Sequence, residues 1–207
     1  MMMATHTNKD SKNIMHLIKP DTVGAEIGVW MGNTSTLFLK NNLKKLYMVD
    51  AYSIEPYKEN TEMSYQEYLA KYQPITGEIA PAGFQKFYDR VYKEVQTRFL
   101  TFKEVEICRM TSDEWFEQYL AAKGHGNDEM LDWIYVDGDH SYEGCLKDLN
   151  NAKEVVKPGG LILGDDYGWP DAKWQKKGVT KAVNEFINKN NITNMIRHGM
   201  TQYEIRL

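Results

Sequence analysis

The chain has 207 residues, 42% of them hydrophobic and 26% charged, which is enough apolar material for one folded domain and too much for a disordered chain. Its 25 basic and 29 acidic residues leave a formal net charge of -4, so no basic field draws nucleic acid, and no apolar run approaches the roughly 18 residues of a membrane span. Two cysteines fit neither a disulfide framework nor a Cys-rich zinc site, and the N-terminal stretch lacks an apolar signal core, so the expected compartment is the reducing cytoplasm.

Short apolar runs ending in Gly or Asp alternate with stretches of helical period, the signature of an open, mostly parallel α/β sheet. Val23 to Val29 reads as the first strand, and Asn33 is placed to cap a helix running through Leu37 to about Asn41. Leu46 to Val49 is a second strand ending at Asp50, and Val105 to Cys108 a third. Thr111-Ser112-Asp113-Glu114 reads as a capping box opening a helix with Trp115, Phe116, Tyr119 and Leu120 on one face. Leu131 to Val136 is a fourth strand, followed by a helix from Tyr142 to Val156 that turns Leu146, Leu149, Ala152 and Val156 inward. Lys157-Pro158-Gly159-Gly160 stops that helix before a fifth strand, Leu161 to Gly164. Val179, Val183, Phe186 and Ile187 mark the next helix, and Ile192 to His198 with Gln202 to Leu207 form a terminal antiparallel hairpin about Gly199.

More than fifty residues separate the second and third strands, far above an ordinary connection. The stretch at about 52–99 holds seven of the thirteen tyrosines, three of the six prolines and a helix from about Phe84 to Phe99. Ligands of open α/β sheets bind at the carboxyl edge, so this insertion within a single domain is expected to form a lid there; the alternative is that its tyrosines pack only a small core of their own.

Three places carry chemistry. Glu26-Ile27-Gly28-Val29-Trp30-Met31-Gly32 runs from the first strand into a helix start, where Gly28 and Gly32 let a bulky ligand approach the backbone and free amides face it. Its spacing departs from the dinucleotide fingerprint, and Asp50 stands 22 residues after Gly28, where an acid accepts ribose hydroxyls. Asp137-Gly138-Asp139-His140 follows the fourth strand and Gly164-Asp165-Asp166-Tyr167 the fifth, so Asp137, Asp165 and Asp166 are expected at one rim. Unpaired carboxylates gathered there call for a hard divalent cation, Mg²⁺, Mn²⁺ or Ca²⁺ rather than zinc, and His140 lies where a general base faces substrate. The competing reading makes Asp139 or Ser141 a helix cap and His140 a loop residue. Tyr167, Trp169 and Trp174 supply either an aromatic wall for a ligand or loop packing.

On these motifs, with Lys157-Pro158-Gly159-Gly160, the chain resembles a class I S-adenosylmethionine-dependent methyltransferase over most of residues 20–207, and within that class the metal-dependent macrocin and mycinamicin-type sugar O-methyltransferases. The resemblance implies a Rossmann-like sheet with helices on both faces and an antiparallel terminal hairpin. It implies S-adenosylmethionine held by Glu26, Gly28, Gly32, Asp50, Ser112 and Asp137, with Mg²⁺ or Mn²⁺ on Asp137, Asp165 and Asp166. His140 is then the base, Tyr167 and Trp169 touch the acceptor, and the acceptor is a small molecule or glycan, with a deoxyhexose such as rhamnose as the analogy; a homo-oligomer is left open. Phenolic O-methylation and a cephalosporin-hydroxylase-like metal enzyme share much of the pattern and remain as alternatives.

Overall fold

The computed structural model describes residues 11–58, 64–123, 130–168 and 177–207. Among them the strands are β1 (Val23–Ile27), β2 (Lys45–Asp50), β3 (Val105–Arg109), β4 (Leu131–Val136), β5 (Val156–Gly164), β6 (Met195–His198) and β7 (Gln202–Arg206), in one sheet of order β3-β2-β1-β4-β5-β7-β6. The first five pair in parallel, and β7 runs antiparallel to both β5 and β6. This is the Rossmann-like arrangement expected of the sequence. The helices are α1 (Asn33–Phe38), α2 (Tyr65–Thr76), α3 (Pro81–Phe99), α4 (Ser112–Lys123), α5 (Tyr142–Val155) and α6 (Gly178–Lys189). None of the helices is long and apolar enough to cross a membrane among the described residues.

Every β1 residue is buried, as a strand covered on both faces must be. The two faces differ in chemistry. On one, Ile27, Ile134, Ile162, Leu149 and Val183 meet α4, α5 and α6 in a mostly aliphatic core that also buries Cys108 and Cys145. On the other, Phe38, Trp133, Tyr135, Phe84, Phe87 and Phe99 make an aromatic core with α1 and α3. Burial pushes the Cys108 thiol up to about 12 and raises Cys145 as well.

Helix α3 carries the chain from β2 back to the parallel β3, so the excess over an ordinary crossover is the segment 51–80. Helix α2, absent from the sequence expectations, is opened by a capping box: the Glu67 amide donates to Ser64 Oγ at 3.3 Å and the Ser64 amide to Glu67 Oε2 at 2.9 Å. Tyr68 and Tyr88 are buried and join their hydroxyls across α2 and α3 at 2.5 Å. Both tyrosines belong to the aromatic face of the main core, so the segment shares that core with α3.

Three expectations need correction. Gly32, in the left-handed region at φ 72, is the N-cap of α1, and Asn33 is the first helical residue. Leu120 is 38% exposed, although Trp115, Phe116 and Tyr119 on the same helix are buried as expected. Helix α5 ends at Val155, and β5 begins at once: Leu131 pairs with Val156 and Trp133 with Leu161, so Lys157 to Gly160 bulges out of the strand, with Gly159 at φ 79, before pairing resumes. The capping box on Thr111 and Glu114 is present, the Glu114 amide reaching Thr111 Oγ1 at 3.3 Å and the Thr111 amide Glu114 Oε2 at 2.8 Å.

Candidate active site

Parallel strands deliver their carboxyl ends to one rim, and there a cavity of about 400 Å³ opens between the loops after β1 to β4 and the inserted segment. Gly28, Asp50, Ser112, Asp137 and His140 line it, with Trp30, Tyr68, Lys71, Tyr72 and Tyr88 above. Gly28 is dictated by backbone approach: a Cβ there would lie 2.1 Å from the Asp137 carbonyl oxygen, and its φ of 86 is in the left-handed region.

Asp50 stands at the end of β2 with both oxygens engaged, Oδ2 by the Trp30 amide and Oδ1 by the Tyr52 amide, each at 2.8 Å. Burial raises its pKa, and the amides work the other way. The Val29 amide is a third donor to this carboxylate, which leaves one lone pair for a ligand hydroxyl. Trp30, at φ 51, spans this loop and the insertion, its ring 6.1 Å from that of Tyr72 and 5.7 Å from that of Tyr88. Ser112, the first residue of α4, is hydrogen-bonded to Asp148, a buried acid of α5 that burial pushes up to about 7.

The β4 and β5 side holds the charged cluster. His140 Nδ1 lies 2.8 Å from Asp166 Oδ2 and Nε2 lies 3.3 Å from Asp137 Oδ1. Burial opposes the charged imidazolium, but the hydrogen bonds to Asp137 and Asp166 outweigh it and raise the His140 pKa well above its ordinary value. Burial among acids raises Asp137 in turn, so the cluster holds its proton tightly. Ser141 caps α5, its Oγ accepting the Gly144 amide at 3.0 Å, while Asp139 braces Ser141 through its amide and hydroxyl, both at 2.9 Å. The capping role and the placement of His140 beside the acids therefore coexist.

The structure brings together Gly28, Asp50, Ser112, Asp137 and His140 on one wall, with Asp166 against His140. Three other residues singled out in the sequence sit away from that wall. Glu26 is 1% exposed inside β1, receives the Ser35 hydroxyl, and is raised well above a normal carboxylate by burial. Gly32 packs against Phe99, where a Cβ would come within 2.7 Å of the ring. Asp165 turns inward to Thr201 and Tyr135. Tyr167 donates its hydroxyl to Asn184 at 3.0 Å, and Trp169 and Trp174 lie outside the described residues. Tyr68 and Tyr72, two of the seven tyrosines of the inserted stretch, reach the wall together with Lys71, which the sequence did not mark although positions 68, 71 and 72 have the i, i+3, i+4 spacing of one helix face.

The residues fit a nucleoside cofactor: a floor without side chains at Gly28, an acid at Asp50 and a cavity within the ordinary volume range for ligands. They also fit a divalent cation, since donor atoms of Asp137, His140 and Asp166 lie within 4.8 Å of one another and the two carboxylates suit Mg²⁺ or Mn²⁺.

Known proteins share this build. The N-methyltransferase NodS from Bradyrhizobium japonicum WM9 superposes with a TM-score of 0.59 at 11% identity, over 99% of this chain and 97% of that one. The O-methyltransferase NovP gives 0.57 at 17% identity over 96% and 76%, and an O-methyltransferase from Bacillus cereus in complex with S-adenosylhomocysteine gives 0.55 at 12% over 99% and 84%. At such identities the likeness is one of fold. An uncharacterized protein of Acanthamoeba polyphaga mimivirus is 26% identical over 170 residues, 82% of this chain and 61% of that protein, so the chain spans about three fifths of that relative's length. Residues 25–167, from β1 through the turn after β5, match a family described as a methyltransferase domain; that stretch contains the whole cavity wall, and the chain belongs to this methyltransferase family.

Proposed function

We propose that the chain is an S-adenosylmethionine-dependent O-methyltransferase acting on a hydroxyl of a sugar or glycoside, assisted by a divalent cation, with His140 accepting the hydroxyl proton. The observation that carries this reading is the placement of His140, flanked by Asp137 and Asp166, on the same cavity wall as Gly28 and Asp50.

Gly28, Asp50 and Ser112 would hold the cofactor, whose sulfonium supplies an already activated methyl group. Asp137 and Asp166 would hold Mg²⁺ or Mn²⁺, which would supply fixed positive charge beside the reacting hydroxyl, with His140 kept as the base. The chain's own contribution is alignment and proton control. Trp30, Tyr68 and Tyr72 line the cavity and would give an acceptor apolar surface that excludes water. As the acceptor oxygen attacks, its proton passes to His140, and Asp137 and Asp166 stabilise the imidazolium that forms. In the cation-free arrangement both carboxylates keep His140 protonated; with them neutralised, His140 is the neutral acceptor that the reaction needs. A phenolic hydroxyl is the second reading, favoured by the same aromatic wall. The hydroxylase alternative needs two histidines and one carboxylate, whereas the cluster among the described residues has one histidine and two carboxylates.

The test pairs binding with turnover. Thermal unfolding with S-adenosylhomocysteine at about 100 times its dissociation constant should show roughly 2.7 kcal/mol of stabilisation. Methyl transfer to a panel of hexosides, deoxyhexosides and phenols should then require Mg²⁺ or Mn²⁺ and stop with EDTA. Stabilisation without transfer to any hydroxyl, or transfer indifferent to EDTA, sinks the acceptor or the metal part respectively.

A further inference from the structure

Asp165 and Asp166 are adjacent, and it is Asp166 whose Oδ2 lies 2.8 Å from His140 Nδ1 and which groups with Asp137 and His140 among the described residues. Asp165 is 6% exposed and Thr201, in the turn between β6 and β7, is 2% exposed. The Thr201 hydroxyl donates to Asp165 Oδ1 at 2.5 Å, and the Thr201 carbonyl accepts the Tyr167 amide at 2.8 Å. Asp165 Oδ1 also accepts the Asp166 amide at 2.8 Å. On its other side Asp165 Oδ2 accepts the Tyr135 hydroxyl at 3.3 Å, and Gln202 Nε2 in turn donates to that hydroxyl at 3.2 Å. Asp166 is thus gripped through both neighbours by one threonine, and it holds φ 61, in the left-handed region that Asp reaches more readily than most side-chain-bearing residues. The loop beyond is fixed too, the Gly168 amide donating to Thr180 Oγ1 at 2.8 Å.

We infer that Thr201, acting through Asp165, is a positioning residue that aims the Asp166 carboxylate at His140, so that the terminal hairpin sets the geometry of the charged half of the site. Asp165 then serves as an internal anchor of the cluster instead of one of its ligands. The inference rests on the functional reading above only in treating the Asp137, His140 and Asp166 cluster as the reacting centre.

The experiment uses the full chain with Thr201→Val, which keeps the shape and removes the hydroxyl, Thr201→Ser, which restores it, and Tyr135→Phe, which removes the other hydroxyl on Asp165. Two readouts are compared: the ring ¹⁵N signals of His140 without metal, and Mn²⁺ affinity measured by calorimetry with S-adenosylhomocysteine affinity as the control. Thr201→Val should move the His140 signals and weaken Mn²⁺ about tenfold while S-adenosylhomocysteine binds within about twofold of normal; Thr201→Ser should restore both, and Tyr135→Phe should show a smaller change of the same sign. Unchanged His140 signals in Thr201→Val overturn the inference, as does a change that Thr201→Ser fails to reverse. If Thr201→Val does not fold, Tyr135→Phe decides on the same signals. A wild-type chain that takes up no Mn²⁺ counts against the metal reading, and the His140 signals still judge this one.

Discussion

On the β1, β2 and β3 side of the rim, the cavity is lined by a bare glycine, by apolar and hydroxyl side chains such as Met110 and Ser112, and by one carboxylate, Asp50, held by backbone amides. On the β4 and β5 side, two carboxylates close on a single histidine. The first half offers shape and hydrogen-bonding sites with little capacity to exchange a proton, which suits recognition of a nucleoside. The second half stores a proton between acids and is shaped by contacts from the far end of the chain. On the proposed function, binding and chemistry reside in separable halves of one cavity, and substitutions should divide accordingly.

The sharpest way to break this division is His140→Ala, expected to lower turnover by about 10²- to 10⁴-fold with S-adenosylhomocysteine affinity unchanged, as single-turnover transfer and calorimetry would report. A parallel loss of cofactor affinity would mean that the halves are not separate. On the opposite side, Gly28→Ala puts a methyl group 2.1 Å from the Asp137 carbonyl oxygen at a positive φ, and should destabilise the chain by roughly 2 to 4 kcal/mol in denaturant unfolding while impairing cofactor binding. Asp50→Ala should weaken S-adenosylhomocysteine by about 10- to 100-fold, the usual worth of hydrogen bonds to a charged group, and leave the EDTA sensitivity of the residual turnover intact.

The smallest effect sharpens the comparison through pH. Asp148 behind Ser112 has a folded pKa raised to about 7 by burial, with Asp113 and Asp139 adding to the rise and Lys147 opposing it. The folded chain therefore binds a proton that the unfolded chain releases, and this contribution to stability is lost as pH climbs from the ordinary carboxylate range through about 7. Asp148→Asn should flatten that slope, raising Tm by a few degrees at pH 8 and changing it little at pH 4. Equal shifts at both pH values would assign the effect to packing.

Much of this was legible in the sequence because strand ends and turns obey local rules. The runs at Val23, Leu46, Val105 and Leu131 gave strands within one or two residues, and Thr111 with Glu114 announced its helix. The rim placement of Asp137, His140 and Asp50 was readable because residues that end parallel strands share a rim wherever the chain goes between them. The surroundings of Glu26, Gly32 and Asp165 were not, since the orientation of a side chain depends on its partners: Ser35 for Glu26, Phe99 against Gly32, and Thr201, 36 residues on, for Asp165. Helix α2 escaped notice because its tyrosines alternate with charged and polar residues and its starting signal, Ser64 with Glu67, stands among other polar residues. The bulge after Val156 was hidden by Pro158 and Gly159, which elsewhere end a structural element and here only bend one out of register.

The two buried cysteines give the molecule a practical property. Cys108 sits in β3 and Cys145 in α5, both enclosed by the aliphatic core, with thiols raised above the ordinary cysteine range by burial. Such thiols stay protonated and shielded from maleimides in the native chain. A cysteine installed at Ile79, which is 70% exposed between α2 and α3, would therefore take a fluorophore alone. That single dye would watch the tyrosine-rich segment while ligands enter and leave beneath it, with no need to engineer a cysteine-free background first.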